Sequence, residues 1–77
     1  MFSEIHVGKI FYEIAGGRNP EIIKFVVDAY EITPYGILFP NKCEGRAIYE
    51  NSDLGLIVFE DEPSAIKRLE QIRRFFK

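Results

Sequence analysis

The chain carries one cysteine, one histidine, one methionine and no tryptophan among its 77 residues. A single thiol, Cys43, cannot close an internal disulfide. Cys43 and His6 are also the only soft ligands, too few for a Cys/His zinc cage. Long hydrophobic runs are missing: no stretch nears the ~20 uninterrupted apolar residues of a membrane span. The opening Met1-Phe2-Ser3-Glu4-Ile5-His6-Val7 lacks the basic start and apolar core of a secretory signal. A reducing, cytoplasmic setting is therefore the expectation. No phosphate-cradling loop is present, because Gly16-Gly17-Arg18 lacks the lysine and hydroxyl that such a loop supplies. Internal repeats and low-complexity tracts are absent too.

What is there suits one folded domain. Apolar residues make up 47% and charged residues 29%, the balance of a globular chain. At this length one core is expected over residues 1–77. Such a core buries only about 60–65% of the unfolded surface, so a partner or self-association is thermodynamically useful.

Residues 4–15 read as a first strand, rich in Ile, Val, Phe and Tyr, with a phase change at Gly8 that predicts a bulge. Gly16-Gly17-Arg18-Asn19-Pro20 is a turn. Residues 21–32 read as a strand, because Ile22-Ile23 and Val26-Val27 lose rotamer freedom in a helix. Asn19-Pro20 would also start a helix well, and that alternative stays open. Thr33-Pro34-Tyr35-Gly36 turns into the short strand Ile37-Leu38-Phe39, and the polar loop Lys42-Cys43-Glu44-Gly45 leads to a strand over 46–50. Asn51-Ser52-Asp53 turns again, and 54–59 reads as the last strand. From Asp61 the period becomes helical, with Ala65, Ile66, Leu69, Ile72 and Phe76 in one stripe, Asp61 as N-cap and Pro63 in the first turn. The expected fold is mainly β, α+β by content: a small five-stranded barrel or curled antiparallel sheet over 4–59, with one C-terminal helix over about 62–76.

The stretch from Asp53 to Ala65 resembles a group of small uncharacterised proteins of Gram-positive bacteria and their phages or mobile elements. In that group an Asp-(Ile/Leu)-Gly turn leads to a Val-Phe strand end, a capping residue and a helical alanine. Asp53, Leu54, Gly55, Val58, Phe59 and Ala65 match, and Tyr12-Glu13-Ile14 and Tyr30-Glu31-Ile32 with Tyr35-Gly36-Ile37 look like its first strands. Leu56-Ile57 departs from the group's usual Lys-Thr, and its helix is usually more acidic than this one. The resemblance implies a Src-homology-3-like barrel with a terminal helix. It brings no activity and no functional residue.

Chemistry-bearing residues are sparse. His6, Cys43 and the cluster Glu60-Asp61-Glu62 would have to converge to hold a metal, and the acids are accounted for by the helix dipole. A Cys43–His6 nucleophile pair has no local signature. Catalytic residues, cofactors, metals and a small-molecule substrate are therefore not expected. Charge layout says more: residues 1–62 carry five Lys/Arg and eleven Asp/Glu, net −6, while 63–77 carry five Lys/Arg and Glu70, net +4. Lys67, Arg68, Arg73, Arg74 and Lys77 are candidate nucleic-acid contacts on the helix. Phe75 and Phe76 point about 100° apart, so one faces outward, and with Arg73 and Arg74 they form a candidate partner contact. The expected function is a non-catalytic protein-interaction or accessory module, of a mobile element or phage on the resemblance. Nucleic-acid binding through the basic helix is the alternative.

Overall fold

The computed structural model describes residues 4–75. Its strands are β1 (Ile10–Ala15), β2 (Glu21–Val26), β3 (Glu31–Ile32), β4 (Gly36–Leu38), β5 (Ile48–Glu50) and β6 (Val58–Phe59), and its helix α1 is Glu62–Phe75. They form two antiparallel three-stranded sheets, ordered β2-β1-β6 and β3-β4-β5. The fold is thus a small α+β domain, strand-rich with one C-terminal helix. Six short strands replace the expected five, because the segment 21–32 is interrupted between Val26 and Glu31. It is extended on both sides of that break, so the helical alternative is not taken up.

β1 organises the molecule because both of its faces are covered. Phe11 and Glu13 turn into the space between the sheets, where Phe11, Val27, Ile37, Phe39, Tyr49 and Val58 form one core. Phe39 packs its ring against Phe25 and Tyr49 with centroids 4.9 Å apart in each case. Ile14 turns the other way, into a second cluster with Phe59, Ala65 and Leu69, edged by Tyr12, Ile22 and Ile72. α1 therefore closes one sheet on its outer side, and the alternation of β1 sorts side chains between two apolar regions.

The first strand is shorter than its apolar pattern suggests. At the expected bulge, Gly8 donates its N–H to Val27 O, and Val27 donates its own to Lys9 O. Two residues thus oppose one, as in a bulge, and the regular ladder begins only at Ile10. The last strand is shorter still. Leu54 to Ile57 are apolar, yet Leu56 and Ile57 donate their N–H groups to Asp53 O, and Gly55 donates to Val58 O. Local turn bonds win over the ladder there, leaving Val58–Phe59 paired with β1. The preceding Asn51–Asp53 is a 3₁₀ helix instead of a plain turn.

α1 begins where expected. The Asp61 carboxylate accepts the Ser64 N–H at 2.9 Å, and hydrogen bonding from the Ser64 side chain, with that N–H, holds the Asp61 pKa below the usual carboxylate range. Ala65 and Leu69 are buried and Ile72 half-buried, but Ile66 is 43% exposed and lies at the edge of the stripe. Phe76 falls outside the described residues.

Candidate functional site

The described residues contain one buried ionic cluster. Glu13 on β1 is 1% exposed. Its carboxylate accepts from Lys42 Nζ at 2.7 Å, from the Tyr49 hydroxyl at 2.9 Å and from the Arg46 backbone N–H at 3.0 Å. Lys42 completes its sphere with the Glu44 carbonyl and lies 5.2 Å and 5.4 Å from the ring centroids of Tyr49 and Phe25. Burial, then the Glu13 charge and hydrogen bond, push the Tyr49 hydroxyl far above its ordinary range, so it acts as a neutral donor. Gly45 passes over the carboxylate with φ +71°, and a Cβ there would stand 2.3 Å from Glu13 Oε2. Only glycine fits that position.

The cluster joins one sheet, through Glu13, to the other, through Tyr49, by way of the loop between β4 and β5. A second bond set extends it: Arg46 reaches both Asp53 carboxylate oxygens at 3.3 Å, and Asp53 accepts the Glu50 N–H at 2.9 Å. Its chemistry is that of a latch. The ammonium and the carboxylate, each with 2% side-chain exposure, neutralise one another below the surface. Neither residue stands out in the sequence, where Lys42 falls in a polar loop and Glu13 within the first strand. One signal was present: Ile10-Phe11-Tyr12 and Ile14-Ala15 flank Glu13 with no polar neighbour on either face.

The candidate contacts on α1 are distributed around the helix. Lys67 and Arg74, seven residues apart, share the outer face. Arg68 and Arg73 lie on opposite flanks and bind backbone: Arg68 Nε donates to Leu56 O at 3.2 Å, and Arg73 donates to Pro20 O at 3.4 Å. Phe75 is 85% exposed and lines, with Arg68, Gln71 and Ile72, a groove of about 390 Å³. Arg73 therefore does not share the Phe75 flank, and Phe76 and Lys77 fall outside the described residues.

The candidate metal ligands are split. His6 lines an open groove of about 710 Å³ with Ile10, Tyr12, Glu60, Asp61 and Glu62, where Lys9 pairs with Glu60. Cys43 is exposed on the other side of the fold, beside Ile23, Lys24 and Phe25. No group of three or more His, Cys, Asp or Glu side chains able to hold a metal occurs among the described residues. No helix among them is long and apolar enough to cross a membrane. Comparison with protein-family models, curated proteins and solved structures returned no match.

Proposed function

We propose that this chain is a non-catalytic interaction module that docks an acidic segment carrying an apolar anchor against the Arg68, Gln71, Ile72 and Phe75 flank of α1. The observation that carries this reading is the 85% exposure of Phe75 in a groove whose one charged lining residue is Arg68. A large aromatic at such a surface costs solubility unless it is covered. Over the described helix, Lys67, Arg68, Arg73 and Arg74 outnumber Glu62 and Glu70, so the groove favours an anionic occupant. Chemistry in the latch is disfavoured because Glu13, Lys42 and Tyr49 are already committed to one another.

The finer fold reading belongs to the same proposal. Strands β2 and β3 follow one another closely and fall in different sheets, and a 3₁₀ turn separates β5 from β6. Both features support a Src-homology-3-like barrel in which β2 and β3 form one bent strand. An accessory role beside a mobile element or phage rests on the resemblance of the Asp53 to Ala65 stretch alone.

Nucleic-acid binding is favoured by one observation, the exposed Lys67 and Arg74 on a common face. It is weakened by the engagement of Arg68 and Arg73 with backbone carbonyls, which directs two of the four described cations toward the fold.

Titration of isotope-labelled protein with a synthetic peptide of alternating Glu and Leu, and separately with a random single-stranded oligonucleotide, decides between them. The expected result is peptide-induced shifts at Arg68, Gln71, Ile72 and Phe75, lost in Phe75→Ala and retained in Lys67→Gln. Salt-sensitive shifts at Lys67 and Arg74 with the oligonucleotide alone would replace this reading with the nucleic-acid one. No shift with the peptide would remove the Phe75 groove as its docking site.

A further inference from the structure

The opposite flank of α1 carries a different pattern. Glu62, Ile66, Leu69 and Arg73 recur at spacings of four, three and four, which places them in one stripe within about 60° around the helix. Along it the stripe runs acid, apolar, apolar, base. Ile66 is 43% exposed, and Leu69, 8% exposed, lies beside it at the edge of the buried cluster with Ile14, Phe59 and Ala65. Arg73 holds this flank over the turn between β1 and β2 through Pro20 O.

Such an order is self-complementary under a two-fold axis. Two copies laid antiparallel place Glu62 against the second copy's Arg73, Ile66 against its Leu69, and the same contacts again with the roles exchanged. A parallel arrangement would put like charges together. The ends reinforce the choice. Glu60, Asp61 and Glu62 cluster at the start of α1, and Arg73 and Arg74 stand in its last turn. Antiparallel helices also oppose their dipoles favourably. The open groove beside the helix start is lined by Ile10 and Tyr12, by Glu60, Asp61 and Glu62, and by His6 and Lys9, the last paired with Glu60.

We infer that this chain forms a symmetric dimer through the Glu62, Ile66, Leu69 and Arg73 stripe of α1, with a second copy of itself as the occupant of that flank. The arrangement uses the charge layout of the chain: net −6 over residues 1–62 and net +4 over residues 63–77 attract between copies. This interface is separate from the Phe75 groove, and the two stand or fall independently.

Sedimentation velocity on the full chain, from micromolar to millimolar concentration and at low and high salt, provides the test. The expected result is a dimer at low salt whose dissociation constant rises about tenfold or more at high salt, as charged contacts are screened. Glu62→Arg and Arg73→Glu should each sediment as a monomer, since each sets like charges opposite one another twice. Mixed in equal amounts they should dimerise again, because both ion pairs are restored in the heterodimer. Far-ultraviolet circular dichroism checks that each variant is folded. Ile66→Asp, away from the Pro20 contact, should give a folded monomer and carries the test should Arg73→Glu unfold. A wild-type chain that stays monomeric at millimolar concentration and low salt overturns the inference, as does a mixture that fails to recover. Phe75→Ala should leave the dimer intact, and its loss would move the interface to the other flank.

Discussion

Glu13 and Lys42 set the local accounting at the residue scale. Each is an ion out of water, and each is tolerable only because the other is 2.7 Å away and the remaining lone pairs meet Tyr49 and Arg46. Removing one partner leaves a buried charge, so Lys42→Ala should cost about 3–5 kcal/mol. That is a large share of the about 4–12 kcal/mol available to a chain of this length. Urea denaturation of Lys42→Met, Glu13→Leu and the double variant should show the double less destabilised than the two singles combined; strict additivity would contradict the coupling. Tyr49 adds a pH signature. Its pKa is raised on folding, so its contribution is complete below the ordinary tyrosine value of about 10. Above that value the unfolded chain ionises while the folded one does not, and stability falls as pH rises. Tyr49→Phe should flatten this alkaline loss in melts recorded from neutral pH to pH 11 or so.

At the scale of elements, the decisive contests are between ladder bonds and local turns. The residues before Val58 have strand composition, but Asp53 captures Leu56 and Ile57 N–H groups and ends the possibility of a long last strand. β4 enters its sheet through Gly36, where a Cβ would meet Tyr49 O at 2.0 Å, so the approach of β5 requires glycine there. β2 lies at the edge of its sheet with Lys24 near its centre, a charge that discourages pairing with foreign strands. α1 depends on its cap. Because the folded Asp61 pKa is depressed, the cap's contribution is present above the ordinary carboxylate range and lost as pH falls through the folded value. Asp61→Ala should therefore lower the melting temperature by a few degrees at neutral pH. The gap from wild type should close in strong acid, and a gap unchanged with pH would rule out the charged cap.

For the whole molecule, the helix is a structural lid and an electrostatic pole at once. Its inner stripe completes the Ile14 and Phe59 cluster, while the rest of its surface carries Lys67, Arg68, Arg73 and Arg74, four of the ten Lys/Arg of an acidic chain. Two flanks follow from that geometry, one ending in Phe75 and one reading Glu62 to Arg73. A small domain gains from covering either, since its own core buries a modest share of its surface. A dimer through one flank leaves the other available, so partner binding and self-association can coexist on a single 14-residue helix.

The helix from Glu62, its Asp61 cap, the bulge at Gly8 and the turn at Gly16-Gly17 could all be read from the sequence. Each depends on residues a few positions apart, where propensity, periodicity and capping act without help from the rest of the chain. The charge segregation was legible for the same reason, being a property of composition along the chain. The latch was not. Glu13 and Lys42 are 29 residues apart, and only the meeting of two sheets covers both faces of β1 and brings the β4–β5 loop over it. The break in the 21–32 strand, the truncation of the last one and the sorting of the α1 cations between two flanks were likewise tertiary decisions. In each, packing and turn bonds chose among conformations that local sequence left nearly equal in energy.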